Sequence, residues 1–209
     1  FERAPCHDSF SDFTKRVGPD RLRNVFHIFQ SQLRSVYPDL GRRVAFDSTI
    51  VRGYSNPRKR KEDLSDPDAK WGVSGQKHDR PDYIFGYKLH LSCDADFELP
   101  LYYKVVPANR NDSRLYSETL LSTKSSGNPV EVAIADAGYD SKRNILLSMK
   151  HHTIPVIMLN PRRSRKKTRR LSDYLLPIRR DSSEWTRLYN MRTSVERVFS
   201  RLKEELGLE

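Results

Sequence analysis

An aspartate inside an apolar, β-rich run constrains this chain more than any other feature. In "RVAFDSTIV", Arg43 to Val51, valine, alanine, phenylalanine and isoleucine flank Asp47 on both sides, the composition of a strand buried in a sheet core. A carboxylate in such a strand is costly unless it is paired or bound to a cation. A second acid closes a second such run: "VEVAIAD" carries Val130, Val132, Ala133 and Ile134 into Asp136, where "AGYDS" begins. Acids that end central strands of α/β sheets are common sites of function. Taken singly, each has a turn cap or a neighbouring arginine as its alternative explanation.

The segments around these acids set the fold class. "PDRLRNVFHIFQSQLRSVYPDLG" repeats Leu22, Val25, Phe26, Phe29, Leu33 and Val36 three and four residues apart, an amphipathic helix closed by Pro38 and Gly41. The polar stretch between Arg52 and Arg80 has several prolines and glycines and no periodicity, which predicts a surface loop. "YIFGYKLHLSCD" and "LPLYYKVVPA" read as a hairpin. "SRLYSETLLSTK" reads as a helix capped by Asp112 or Ser113, "KRNILLSMKHH" as a helix and "TIPVIML" as a strand. That order predicts an α/β fold, a mixed β-sheet flanked by helices. With 209 residues, the chain suits a helical lead-in over residues 1–41 and a main domain over 42–209.

Charge narrows the partners. Lysine and arginine number 38 against 27 acids, a net +11, so the surface attracts a polyanion, with nucleic acid foremost. No apolar run approaches the ~20 residues of a spanning helix, which argues against a membrane. Cys6 and Cys93 stand far apart with no paired spacing, so neither a disulfide framework nor a thiolate zinc site is expected, and a reduced intracellular compartment fits.

A third acid comes late. Read as one helix at ~100° per residue, "YNMRTSVERVFSRLK" gathers Tyr189, Arg192, Glu196 and Lys203 within roughly 60° of arc. They lie beside the apolar stripe of Met191, Val195, Val198, Phe199, Leu202 and Leu206. Alone, Arg192 and Glu196 read first as an ordinary i, i+4 ion pair on a surface helix. Together with Asp47 and Asp136, however, Glu196 completes three carboxylates, the oxygen ligand set that two-metal phosphoryl chemistry requires.

The spacing Tyr189, Arg192, Glu196, Lys203 matches at every fixed position the Y-x2-R-x3-E-x6-K signature of the DDE transposases of bacterial and archaeal insertion sequences. "AFDST" resembles that family's first-aspartate strand, "GYKLHLSCDADFELPLYYKVVPANRNDS" its following hairpin, "ADAGYDS" its second-aspartate segment and "PCHDSFSDF" its lead-in. The resemblance covers nearly the whole chain. It implies a ribonuclease H-like fold in which Asp47, Asp136 and Glu196 hold two Mg²⁺ or Mn²⁺ ions, while Tyr189, Arg192 and Lys203 hold backbone phosphates. The implied partners are transposon-end and target DNA, with a homodimer in the synaptic complex, and the implied location is the prokaryotic cytoplasm at the nucleoid. The 60 residues from Asp136 to Glu196 leave no room for the large β domain that some relatives insert there.

Several features stand outside the signature. The basic run "NPRRSRKKTRR", with Arg162, Arg163, Arg165, Lys166, Lys167, Arg169 and Arg170, suits a DNA backbone track, and "PRKRK" at 57–61 reads similarly. Lys88 and His90 point to one face of a strand, where a structural role for the histidine is the simplest. Asn109 and Asn111 shape a turn. Two alternatives remain on residues alone: a metal-dependent nuclease of the same fold without strand transfer, and an inactive DNA-binding relative. End recognition needs base contacts in a groove, and no helix-turn-helix is evident. The chain, which begins at Phe1, is expected to be a fragment lacking its N-terminal end-recognition module.

Overall fold

β1 (Arg43–Arg52) is the strand on which the sheet is built. Its apolar residues Val44, Ala45 and Phe46 are fully buried, and β-branched neighbours favour the extended backbone. β3 (Arg80–Asp94) runs antiparallel along one side of it and β5 (Val132–Ala135) parallel along the other. β4 (Pro100–Pro107) pairs with β3, and β6 (Ile154–Ile157) extends the parallel half. The order β4-β3-β1-β5-β6, antiparallel on one side of β1 and parallel on the other, is a ribonuclease H-like mixed sheet. A computed structural model supplies this description for residues 6–55, 64–77, 80–160 and 176–208.

Helices cover both faces. α3 (Asp112–Ser125) and α4 (Lys142–Lys150) lie on one, where Phe46 meets the Tyr116 ring at 5.4 Å and Ser92 bonds Thr123 at 2.7 Å. The buried Tyr116 hydroxyl is satisfied by Ser148 of α4 at 2.8 Å, as buried polar groups require. α5 (Ser183–Asn190) and α6 (Thr193–Glu204) lie on the other face, where Trp185, Leu188, Val195, Val198 and Phe199 join Ala45, Leu91, Cys93 and Ile134 in one cluster. Side chains alternate across a strand, so Asp47 shares this α5–α6 face.

Within residues 40–209, three details differ from the sequence reading. The stretch expected as loop contains β2 (Lys70–Lys77), which pairs with the N-terminal half of β3. β3 is 15 residues long and β1 pairs with residues 86–94 only, so an edge remains for β2. The cap of α3 is Asn111, whose side chain accepts from the Ser113 amide at 3.0 Å. The last segment is two helices, not one: amide bonds from Arg192 to Tyr189 (2.9 Å), Ser194 to Met191 (3.1 Å) and Val195 to Arg192 (3.2 Å) form a 3₁₀-type turn between α5 and α6.

The chain divides into two compact units, Phe1–Asp39 and Leu40–Glu209. The first contains α1 (His7–Val17), to which the sequence analysis gives no element of its own, and α2 (Pro19–Val36), the amphipathic helix that it predicts. They meet at Gly18, whose φ of 77° suits glycine alone, and Pro19 opens α2 with its φ already set. Among the described residues no helix is long and apolar enough to cross a membrane.

Candidate active site

Register brings the two aspartates together. Phe46 pairs with Ala135 in the parallel ladder, so Asp47 and Asp136, one residue further along, occupy neighbouring positions ~4.8 Å apart in strand spacing. β5 ends here. Asp136 leaves the sheet as the cap of a single 3₁₀ turn, Ala137–Tyr139, and accepts the Gly138 amide at 2.8 Å. Asp47 accepts the amide of Ser48 at 2.8 Å.

Both carboxylates are perturbed. Burial pushes the Asp47 carboxyl up to about 7, the nearby Asp136 charge pushes the same way, and the Ser48 amide and Arg192 only partly oppose them. Burial likewise raises Asp136, with Asp112 adding to the shift. Two half-buried like charges disfavour joint ionisation unless a cation stands between them. In this structure Arg192 supplies part of that charge, with Nη1 3.7 Å from Asp47 Oδ2.

Glu196 is held by the same guanidinium. Arg192 Nη2 donates to Glu196 Oε1 at 2.7 Å, and the Glu196 side chain is 49% exposed. The Arg192 guanidinium also lies 5.9 Å from the Tyr189 ring centre, and Tyr189 stacks on Trp185 at 4.8 Å, so the arginine is held from below by an aromatic pair. Lys203 lies seven residues beyond Glu196, about two helical turns along α6. α6 is itself anchored: Arg197 and Arg201 both pair with Glu98 in the turn between β3 and β4. Thus Asp47 and Asp136 stand side by side, and Arg192, over the Tyr189 ring, links Asp47 to Glu196. The residues of the basic run, Arg162, Arg163, Arg165, Lys166, Lys167, Arg169 and Arg170, lie outside the described residues, as does the 57–61 cluster.

The sequence reading missed a network on the opposite face of β1. Ser48 follows Asp47 and points the other way, where its hydroxyl donates to Asp112 Oδ1 at 2.9 Å. Lys88 Nζ reaches the same oxygen at 2.9 Å, and the buried His90 Nε2 stands 3.7 Å from it with no hydrogen-bond partner among the described residues. Burial pushes His90 down to about 4, against the pull of Asp112, so the imidazole is neutral. A structural role for the histidine thus comes with one ring nitrogen, Nε2, left without a hydrogen bond among the described residues. The available signal was the shared face of Lys88 and His90; placing Asp112 opposite them needed the fold.

Residues 38–209 match the protein family described as Transposase DDE domain. The chain belongs to that family. This DDE domain is also similar to two solved structures. One is the "Mos1 transposase paired-end complex with left transposon end", 12% identical, covering 84% of this chain and 57% of that one at a TM-score of 0.34. The other is the "Mos1 mariner paired end complex with Mn", 12% identical, covering 88% and 61% at a TM-score of 0.35. The chain thus spans less than two thirds of the length of either. No curated protein matches it.

The donor set of this DDE domain fits a hard divalent cation in part. Asp47 and Asp136 offer carboxylate oxygens one strand apart, the ligand type that Mg²⁺ and Mn²⁺ take. Among the described residues, no three metal-ligating side chains stand ready as one site. The structure gathers two of the three acids and turns the third, Glu196, onto Arg192.

Proposed function

We propose that this DDE domain is the catalytic part of a transposase, which cuts DNA at the ends of a mobile element and joins the freed 3′-hydroxyl to target DNA. The observation that supports it is the register pair: Asp47 and Asp136 side by side on the face that carries the α5–α6 junction. Asp47, Asp136 and, once turned from Arg192, Glu196 would hold two Mg²⁺ or Mn²⁺ ions. When bound, such ions polarise the phosphoryl oxygens and sharpen the attacking hydroxyl.

The chain's own groups do the rest. Arg192 offers a planar fork for a backbone phosphate, steadied by Tyr189 beneath it, and Lys203 a point charge further along the helix. When a phosphate takes Arg192, Glu196 loses its partner and becomes available, so substrate binding and completion of the acid set are coupled. The basic run at 162–170 suits a sequence-independent backbone track. Two element ends must be held together, which calls for a homodimer.

The test incubates the full-length protein with labelled element ends, Mg²⁺ and a target plasmid. Joined products are expected. Cleavage without joining would make the protein a nuclease, and binding with neither would sink both enzymatic readings.

A further inference from the structure

β2 is inside out. Its large side chains, Trp71 and Val73, face solvent, while Gly72 between them is packed so closely that a Cβ there would lie 2.6 Å from the Ala108 carbonyl oxygen. The inversion continues across the sheet. Trp71 stands opposite Phe85 and meets its ring edge-on at 5.5 Å, and Val73 stands opposite Tyr83. On β4, Tyr103 and Val105 lie opposite Leu91 and Leu89. Trp71, Val73, Tyr83, Tyr103 and Val105 are each between 39 and 58% exposed, and α5 and α6 cover Ala45, Leu91 and Cys93 of the same face instead. An apolar sheet face left open on this scale marks an interaction surface.

This face borders the candidate active site, with Leu91 between them buried beneath α5 and α6. Asp47 stands opposite Leu91 and Leu91 opposite Tyr103, one row across three strands. Two strand spacings put Tyr103 about 10 Å from Asp47, some three base steps of ~3.4 Å along a strand of DNA. Aromatic rings stack on any base, and a net +11 draws the phosphates that accompany one. We propose that the exposed face of β2, β3 and β4 binds unpaired bases of the DNA strand that leads to the Asp47–Asp136 site, with Tyr103, Tyr83 and Trp71 as the stacking rings. The proposal rests on the transposase reading for the identity of its ligand.

The test measures binding in EDTA, so that it is independent of cleavage. Fluorescence anisotropy compares a labelled thymidine strand of about 16 nucleotides with an abasic strand of equal length and charge, using the full-length protein. The thymidine strand is expected to bind more tightly. Trp71→Ala and Tyr103→Ala are each expected to weaken it about tenfold without changing the abasic strand, and Trp71→Phe and Tyr103→Phe to restore it. In the unaltered protein, the thymidine strand but not the abasic one is expected to quench the exposed Trp71, because Trp185 is buried. Equal affinity for both strands, or alanine variants that bind thymidine normally, would overturn the proposal. So would an alanine variant that turns a dimer into a monomer while the base preference persists, since a second copy would then own this face. Base-dependent binding by a protein that neither cuts nor joins overturns the transposase reading alone; cutting and joining without base dependence overturns this proposal alone.

Discussion

Arg192 bonds Glu196 at 2.7 Å from one terminal nitrogen and stands 3.7 Å from Asp47 with the other. One guanidinium thus compensates acids on two elements, a strand and a helix. Arg192→Ala removes that charge. The metal-free protein is expected to lose about 1 kcal/mol near pH 8, and added Mg²⁺ to restore more stability in the variant than in the parent. Calorimetry with and without Mg²⁺ reads both; an equal Mg²⁺ increment in the two proteins would remove Arg192 as the counter-charge.

Burial lifts the folded Asp47 carboxyl to about 7, whereas the unfolded chain titrates near ~3.9. Between these values the folded chain keeps a proton that the unfolded chain has released, so its contribution favours folding fully below ~pH 4 and is lost as pH rises to about 7. Asp47→Asn abolishes that loss. The variant is expected to be about 2 kcal/mol more stable than the parent near pH 8 in EDTA, with the gap closing toward pH 4. Urea midpoints across that range check it, and a gap that widens on acidification would contradict the assignment.

Glu98 ties the β3–β4 turn to Arg197 and Arg201 of α6 from a residue with φ of 54°. Glu98→Gly keeps that backbone at no strain and deletes both ion pairs. Overall stability should change by less than ~1 kcal/mol, while amide exchange in α6 quickens and the proposed end cleavage falls several-fold. Exchange mass spectrometry over residues 193–204 separates this from a global loss.

Gly86 lies where β1 and β3 part, and a Cβ there would fall 2.1 Å from the Val51 carbonyl oxygen and 2.6 Å from the Gly53 nitrogen. Neither is a side chain that can swing away. Gly86→Ala is expected to cost about 2 kcal/mol or more through forced backbone movement, read as a lower urea midpoint. An unchanged midpoint would mean that the strands separate there without cost.

The elements that carry their own pattern were legible in the sequence. "VAFDSTIV" and "VEVAIAD" are apolar runs that only a buried strand accommodates, and both proved to be neighbours in the sheet. β2 was not legible, because "KWGVSGQK" places two glycines in a short run and its exposed Trp71 and Val73 give no inward apolar face to detect. The break before α6 carried no proline or glycine at Met191 or Arg192, so nothing in local propensity announced it. Arg192 and Glu196 were rightly placed together, because their i, i+4 contact survives the turn. Asp112 lay beyond reach: its bonds to Ser48 and Lys88 join residues 64 and 24 positions away.

The four-residue β5 makes the acid pair a matter of counting. Strand side chains alternate with a period of two, so one residue inserted into or removed from Val132–Ala135 would turn Asp136 onto the α3 side while leaving the sheet's hydrogen bonds to be made again. A lineage could thereby lose the proposed chemistry in a single in-frame codon event and keep its fold, its charge and the proposed hold on DNA. Under the proposed function, such a chain would compete for the same ends as its active parent, a ready-made antagonist one codon away.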